Sequence, residues 1–239
     1  MYARTIAGWP LTPMVKKILI INVAIWLPEI IVVHWVESMA PLKYFALTPL
    51  SVYPRLMVWQ LFTYMWLHSP FDWVHILFNS LFLWMFGGTL EYNWGSKHFL
   101  RFYLICGVGA GLIVFLTGLL FSPDTPVLGA SGAIYGLVTA WAIPNWNRHI
   151  NVFNLFVIKG KFFVLFPIGV AVIEFLMRAQ GVSHAAHLGG MAIGALLVTG
   201  YWRPSRLQKK LRYWWLRRKL KVIEDQERRN RPPNGGYWH

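Results

Sequence analysis

A hydroxyl and an imidazole each stand at the start of an apolar stretch. Gly129-Ala130-Ser131-Gly132 opens one, and Ala186-His187 opens another further down the chain. Polar side chains inside membrane-crossing segments are costly to hold, so each needs a reason to be there. A serine hydroxyl is a weak nucleophile until an adjacent base takes its proton, and His187 is the natural base for Ser131. Acyl transfer also needs donors aimed at a developing oxyanion. The helix N-terminal amides around Ser131, the Asn79 side chain and the His75 imidazole can supply them, because the spacing of His75 and Asn79 puts both on one helical face. No carboxylate neighbours His187 in sequence. Glu174 is the nearest and is expected deeper, inside its own helix, so a Ser131–His187 dyad is the more economical reading than a triad. Tyr135, one turn below Ser131 on the same face, is expected to orient His187 by stacking against its ring.

The elements that must position these groups follow from composition. Of 239 residues, 56% are hydrophobic, 17% aromatic and only 13% charged. A soluble domain carries about 25% charged residues, so the chain belongs to the membrane class. Segments of about 20 apolar residues cross the hydrocarbon core. They are predicted at 15–36, 73–93, 99–121, 129–145, 161–177 and 184–202, giving an all-α bundle of six spans over residues 1–204 and a basic tail over 205–239. Pro123, Pro126 and Pro144 mark ends, since helix interiors reject proline. The segment 38–72 is aromatic and its best apolar run, Leu56 to Leu67, is too short to cross; it is expected to lie in the headgroup region. The first apolar run reads as a span rather than a cleaved signal peptide, for it lacks a small-residue cleavage site. Cys106 is the single cysteine, so no internal disulfide forms.

Lys and Arg set the orientation. Arg4, Lys16 and Lys17, then Lys97 and Arg101, then Arg148, Lys159 and Lys161, then the tail fall on one side. Lys43, Arg55 and Arg178 fall on the other. The positive-inside rule therefore predicts both termini in the cytoplasm, with Ser131, His187, His75 and Asn79 near the outer face. The span carrying Ser131 is short, so its start is expected below the outer surface, at the floor of a water-admitting cavity. Gly132 and Gly136 on one span, and Gly190 and Gly194 on another, allow close backbone approach, which matters where apolar contact alone does not drive association. Gly107 and Gly111 repeat that spacing and read as ordinary packing.

Other functions fit less well. The net charge of +14 is concentrated after the last span, where 12 Lys/Arg from Arg203 onward face 3 Asp/Glu. That distribution suits an anionic inner leaflet, and no recognised module accompanies it to suggest nucleic acid. His68, His75, His184 and His187 would be a metal cluster only without the support of an HExxH motif, so neither metal nor cofactor is expected. A transporter would show broken helices at the midplane and inverted repeats, which the sequence lacks.

His75-Ile-Leu-Phe-Asn79, Gly129-Ala-Ser-Gly132 with Tyr135, and Ala186-His187 followed by Gly190 and Gly194 together resemble the rhomboid family of intramembrane serine proteases. The soluble-hydrolase elbow GxSxG differs, because there the serine follows a strand. The resemblance implies that Ser131 is the nucleophile, His187 the base, His75 and Asn79 parts of the oxyanion hole, and Tyr135 a support for the histidine. It also implies single-pass membrane proteins as substrates, cut in or near the outer part of their span, at small residues in locally unstable helices. Glu91, after Gly87-Gly88, fits the family as a structural residue. Where the family's first loop usually carries Trp-Arg, this chain has Trp59-Gln60, which bears on how that loop is anchored. An inactive rhomboid-like protein that binds membrane clients is the alternative, and a bacterial plasma membrane the expected location.

Overall fold

The computed structural model describes residues 9–152, 155–176 and 184–200. Helix α1 (Pro13–His34) starts with proline at its first position, where a missing N–H costs nothing. Its exposed side chains include Ile20, Ile21, Val23, Leu27 and Ile31, so its outer faces are apolar and suited to lipid. The next segment folds as three short helices, α2 (Ala40–Phe45), α3 (Pro49–Val52) and α4 (Gln60–Thr63), and a 3-10 turn, Tyr64–Trp66.

Helix α5 (Trp73–Phe82) is capped by Asp72, whose carboxylate accepts the Val74 N–H at 2.9 Å. It runs through a π-turn, Leu83–Gly87, into α6 (Gly88–Trp94). Helix α7 (Ser96–Phe121) follows, then α8 (Ser131–Ala142), a two-stranded antiparallel hairpin of β1 (His149–Val152) and β2 (Phe156–Lys159), α9 (Phe162–Leu176) and α10 (His184–Thr199).

A helix occupies each of the six predicted apolar segments. Three of them, Pro13–His34, Trp73–Trp94 and Ser96–Phe121, are long and apolar enough to cross a membrane; α10 is apolar but shorter. Helix α8 has 12 residues, about 18 Å of rise, and is shorter than the predicted 129–145. Gly129 has φ +122°, which keeps the chain out of the helix until Ser131. The all-α expectation is corrected at the hairpin. Ile150 and Val152 alternate with His149 and Asn151, and Ile150 pairs with Ile158, so a period of two selects strands there. Ile150, Val152 and Ile158 pack on the core while the other face points away.

Glu91 closes the end of the bundle opposite Ser131. It is buried, at 3% exposed. Its carboxylate accepts the Met14 and Val15 amides at 2.8 Å each, the Thr12 hydroxyl, and the Ser96 hydroxyl at 2.5 Å. A carboxylate from α6 thereby caps α1, satisfying amides that a helix start leaves open. The core between α7, α8 and the π-turn is aromatic, with Phe86, Phe99 and Tyr103 fully buried and Trp141 meeting Phe86 at a ring distance of 4.9 Å.

The chain divides into two compact units, Met1–Val198 and Thr199–His239. The predicted tail 205–239 with its boundary at 204, Arg4, Arg178 and the Glu174 side chain lie outside the described residues.

Candidate active site

Ser131 is the first residue of α8. The helix ladder begins only when the Ile134 N–H donates to the Ala130 carbonyl at 3.0 Å, so the amides at Ser131 and Gly132 precede it at the positive end of the helix. Gly129, just upstream, donates its N–H to the Tyr64 carbonyl at 2.9 Å. These constraints hold the serine at a turn rather than inside a rod.

His187, on the first turn of α10, places Nε2 2.9 Å from Ser131 Oγ. Its ring lies 4.5 Å from that of Tyr135, tilted by 46°. The two helices meet because glycine lines both. A Cβ on Gly190 would fall on the carbonyl oxygen of Gly132, and one on Gly194 would lie 2.5 Å from the carbonyl oxygen of Gly136. Gly132 and Gly136 also admit α7, through Ala110 and Cys106. Close backbone approach at Gly132 and Gly190 is therefore what brings the hydroxyl within reach of the imidazole.

The His75 ring fills the space beside Gly129. A Cβ on Gly129 would lie 2.7 Å from His75 Nε2 and 3.9 Å from Ser131 Oγ. His75 Nδ1 accepts the Ser69 N–H at 3.2 Å, which leaves the proton of the neutral ring on Nε2, the nitrogen beside Gly129. Asn79 is buried and donates Nδ2–H to the His75 carbonyl at 2.8 Å. An amide carries two such hydrogens, so the second is open to another acceptor. The His75 ring thus stands beside Gly129, just before Ser131 in the chain, with Asn79 hydrogen-bonded to the His75 backbone. Among the described residues, no group of three or more His, Cys, Asp or Glu is placed to hold a metal ion.

Several contributors escaped the sequence reading. The segment Tyr64–His68 is not a surface loop: Tyr64, Met65, Leu67 and His68 are buried, and the Tyr64 hydroxyl donates to the Gly107 carbonyl at 2.7 Å. Gly107 and Gly111 face Met65 and Tyr64, so their spacing on α7 seats this plug. Gln60 takes the place of the usual arginine and anchors the loop itself. It is fully buried, accepts the Thr48 N–H at 3.1 Å and donates to the Lys43 and Tyr44 carbonyls at 3.2 and 3.3 Å. The adjacent Trp59 indole donates to the same Tyr44 carbonyl at 2.9 Å.

A second surprise lies in α1. Asn22 and Glu29 are buried on one face of this apolar helix, and Glu29 Oε2 accepts the His68 N–H at 3.4 Å. The Asn22 amide, Glu29 Oε1 and both His68 ring nitrogens find no hydrogen-bond partner among the described residues. The His68 ring lies 5.3 Å from that of His75, so the buried His68 borders the serine site. A glutamate and an asparagine inside an apolar run were the signal available.

Three apolar helices of spanning length, with a serine and a histidine brought together at a helix start, define a membrane-type helical bundle that carries a serine–histidine pair. The chain belongs to the Rhomboid family, whose domain model matches residues 55–204. It is 33% identical over 143 residues to RHOMBOID-like protein 1 of Arabidopsis thaliana, covering 59% of this chain and 33% of that protein. Rhomboid protease GluP of Bacillus subtilis is 31% identical over 141 residues, covering 57% and 24% respectively. Rhomboid protease GlpG of Haemophilus influenzae is 30% identical over 139 residues, covering 57% and 65%. The matched region spans about a third of the length of the first of these relatives. It is an integral membrane protein of that family.

Proposed function

We propose that this chain is an intramembrane serine endopeptidase acting through a Ser131–His187 dyad. Ser131 Oγ attacks the scissile carbonyl as its proton passes to His187 Nε2. The oxyanion is held by His75 Nε2–H, the second Asn79 Nδ2–H and the amides at the start of α8. His187 then returns the proton to the leaving amine. A water attacks the acyl-enzyme, giving its proton to His187 while Ser131 leaves, and the proton passes back to Oγ. Tyr135 keeps the imidazole in plane for both transfers, and Gly132, Gly136, Gly190 and Gly194 hold α8 and α10 in contact.

The observation that carries the reading is the 2.9 Å hydrogen bond between His187 and Ser131 in a chain of this family. Protease-named relatives support the same activity. We read the helices as six spans with both termini cytoplasmic, the serine near the outer face of a bacterial plasma membrane, and the basic tail on the anionic inner leaflet. Substrates are single-pass membrane proteins, cut in or near the outer part of their span, where a small side chain and an unstable helix let the peptide unwind.

The test is fluorophosphonate labelling together with cleavage of a reconstituted single-pass substrate. Wild type is labelled at Ser131 and cleaves. Ser131→Ala and His187→Ala each abolish cleavage, with non-additive effects in the double variant. Full activity in Ser131→Ala, or inhibition by a zinc chelator, overturns the mechanism. Client binding by folded wild type with no labelling and no cleavage would instead mark an inactive binding protein.

A further inference from the structure

The hairpin after α8 has two faces. One packs Ile150, Val152 and Ile158 on the bundle. The other carries His149 directly across from Lys159 with Val157, and these residues, with Lys161, Phe162 and the edge of Ile158, line a surface cavity of about 370 Å³. The hairpin is a fixed platform, because the Gly160 and Lys161 amides donate to the Arg148 and Trp146 carbonyls at 2.9 Å each. The cavity opens where the chain turns into α9, whose first residues are exposed and apolar: Phe162 is 48%, Leu165 43% and Phe166 71% exposed. Lys161 Nζ sits 5.4 Å from the Phe162 ring, at the junction of the two surfaces.

Charge complementarity says what fills this place. The chain has no Asp or Glu anywhere between Asp124 and Glu174, so these cations have no acidic neighbour in their own stretch. A cationic pocket that continues directly into a lipid-facing helix matches a molecule with an anionic head and apolar tails. Helix α8 separates Ser131 from the hairpin, so the pocket serves the leaflet that the serine does not face.

We propose that the hairpin cavity binds one anionic phospholipid, its phosphate between Lys159 and Lys161 and its acyl chains along Phe162, Leu165 and Phe166. His149 lies beside the phosphate and adds a donor. Phosphatidylcholine, whose own ammonium cancels the phosphate charge, binds there far less.

The experiment uses the full chain reconstituted in phosphatidylcholine vesicles doped with a phosphatidylglycerol that carries a photoreactive group on its acyl chain. Cross-links are mapped by peptide mass spectrometry. The segment Phe162–Phe166 is labelled by the phosphatidylglycerol probe about 10- to 30-fold more than by a phosphatidylcholine probe, a factor that two juxtamembrane cations supply. Lys159→Gln/Lys161→Gln removes that preference, while labelling of the exposed α1 residues Ile20 and Leu27 and cleavage in detergent stay at wild-type levels. Millimolar inorganic phosphate leaves the labelling unchanged. Equal labelling by the two probes, or a preference that survives the double variant, overturns the proposal. Loss of labelling to free phosphate would show a simple anion pocket instead of a lipid site.

Discussion

The carbonyl oxygen of Gly132 occupies the place that a side chain on Gly190 would need. This single contact links helix packing to chemistry, because Gly132 follows Ser131 and Gly190 lies one turn beyond His187. Gly190→Ala is expected to separate α8 from α10 and lose both activity and thermal stability, since a backbone oxygen cannot move aside as a flexible side chain does. Gly169, whose Cβ would meet nothing within 4 Å, is the control: Gly169→Ala keeps wild-type melting and turnover. Parallel melting and substrate-cleavage assays on the two variants check this.

The oxyanion donors are expected to separate from the fold. His75→Ala and Asn79→Ala lower kcat by roughly 10- to 1000-fold while the protein remains monodisperse in detergent. Asn79→Asp keeps the shape but removes the donors, and falls with the alanine variants. A variant that retains wild-type kcat takes that residue out of the oxyanion site.

Gln60 is expected to be a structural staple. Gln60→Ala leaves the half-buried Thr48 amide without its acceptor and the Lys43 carbonyl without the Gln60 donor, while Tyr44 keeps only the Trp59 indole, at a cost of about 1–3 kcal/mol. The readout is a lowered melting temperature and faster proteolysis within residues 38–60, with Ser131 still labelled by a fluorophosphonate below the melting transition. Unchanged melting would show that the loop is held elsewhere.

Acid stability is expected to depend on His68. Burial, with a smaller contribution from the nearby His75, holds its imidazole down at about 3, below the ordinary 6.5. The unfolded chain takes up a proton at His68 as pH drops below about 6.5, and the folded chain does not until about 3, so stability is lost across that window. The fall in melting temperature between pH 7 and pH 5 is therefore smaller in His68→Gln than in wild type. An equal fall in both would remove His68 as the source.

The positions of the helices could be read from apolar runs and prolines, because lipid-facing and core-facing residues alike are hydrophobic in this chain. The pairing of Ser131 with His187 was readable from glycine spacing, since small residues mark where helices touch. What escaped was set by tertiary contact. Nothing local says that Tyr64 inserts between Gly107 and Gly111, because an aromatic residue in a loop is equally at home among headgroups. Gln60 looked like a missing arginine, yet an uncharged amide both donates and accepts, so it ties three backbone groups where arginine only donates. The hairpin was hidden by length: four-residue strands give too short an alternation to stand out between two apolar helices.

Glu91 gives the bundle a pivot. It joins the start of α1, through Thr12, Met14 and Val15, to the start of α7 through Ser96. Helix α1 extends about 33 Å from that point, so a tilt of about 5° displaces its far end by about 3 Å while hardly moving its tethered end. The lever arm lies on the side where Ser131 and His187 meet. Widening the gap between α1 and the chain just ahead of α5 costs the Trp26 indole bond to the Ser69 carbonyl at 2.9 Å and the His68 amide bond to Glu29, and leaves the Glu91 junction whole.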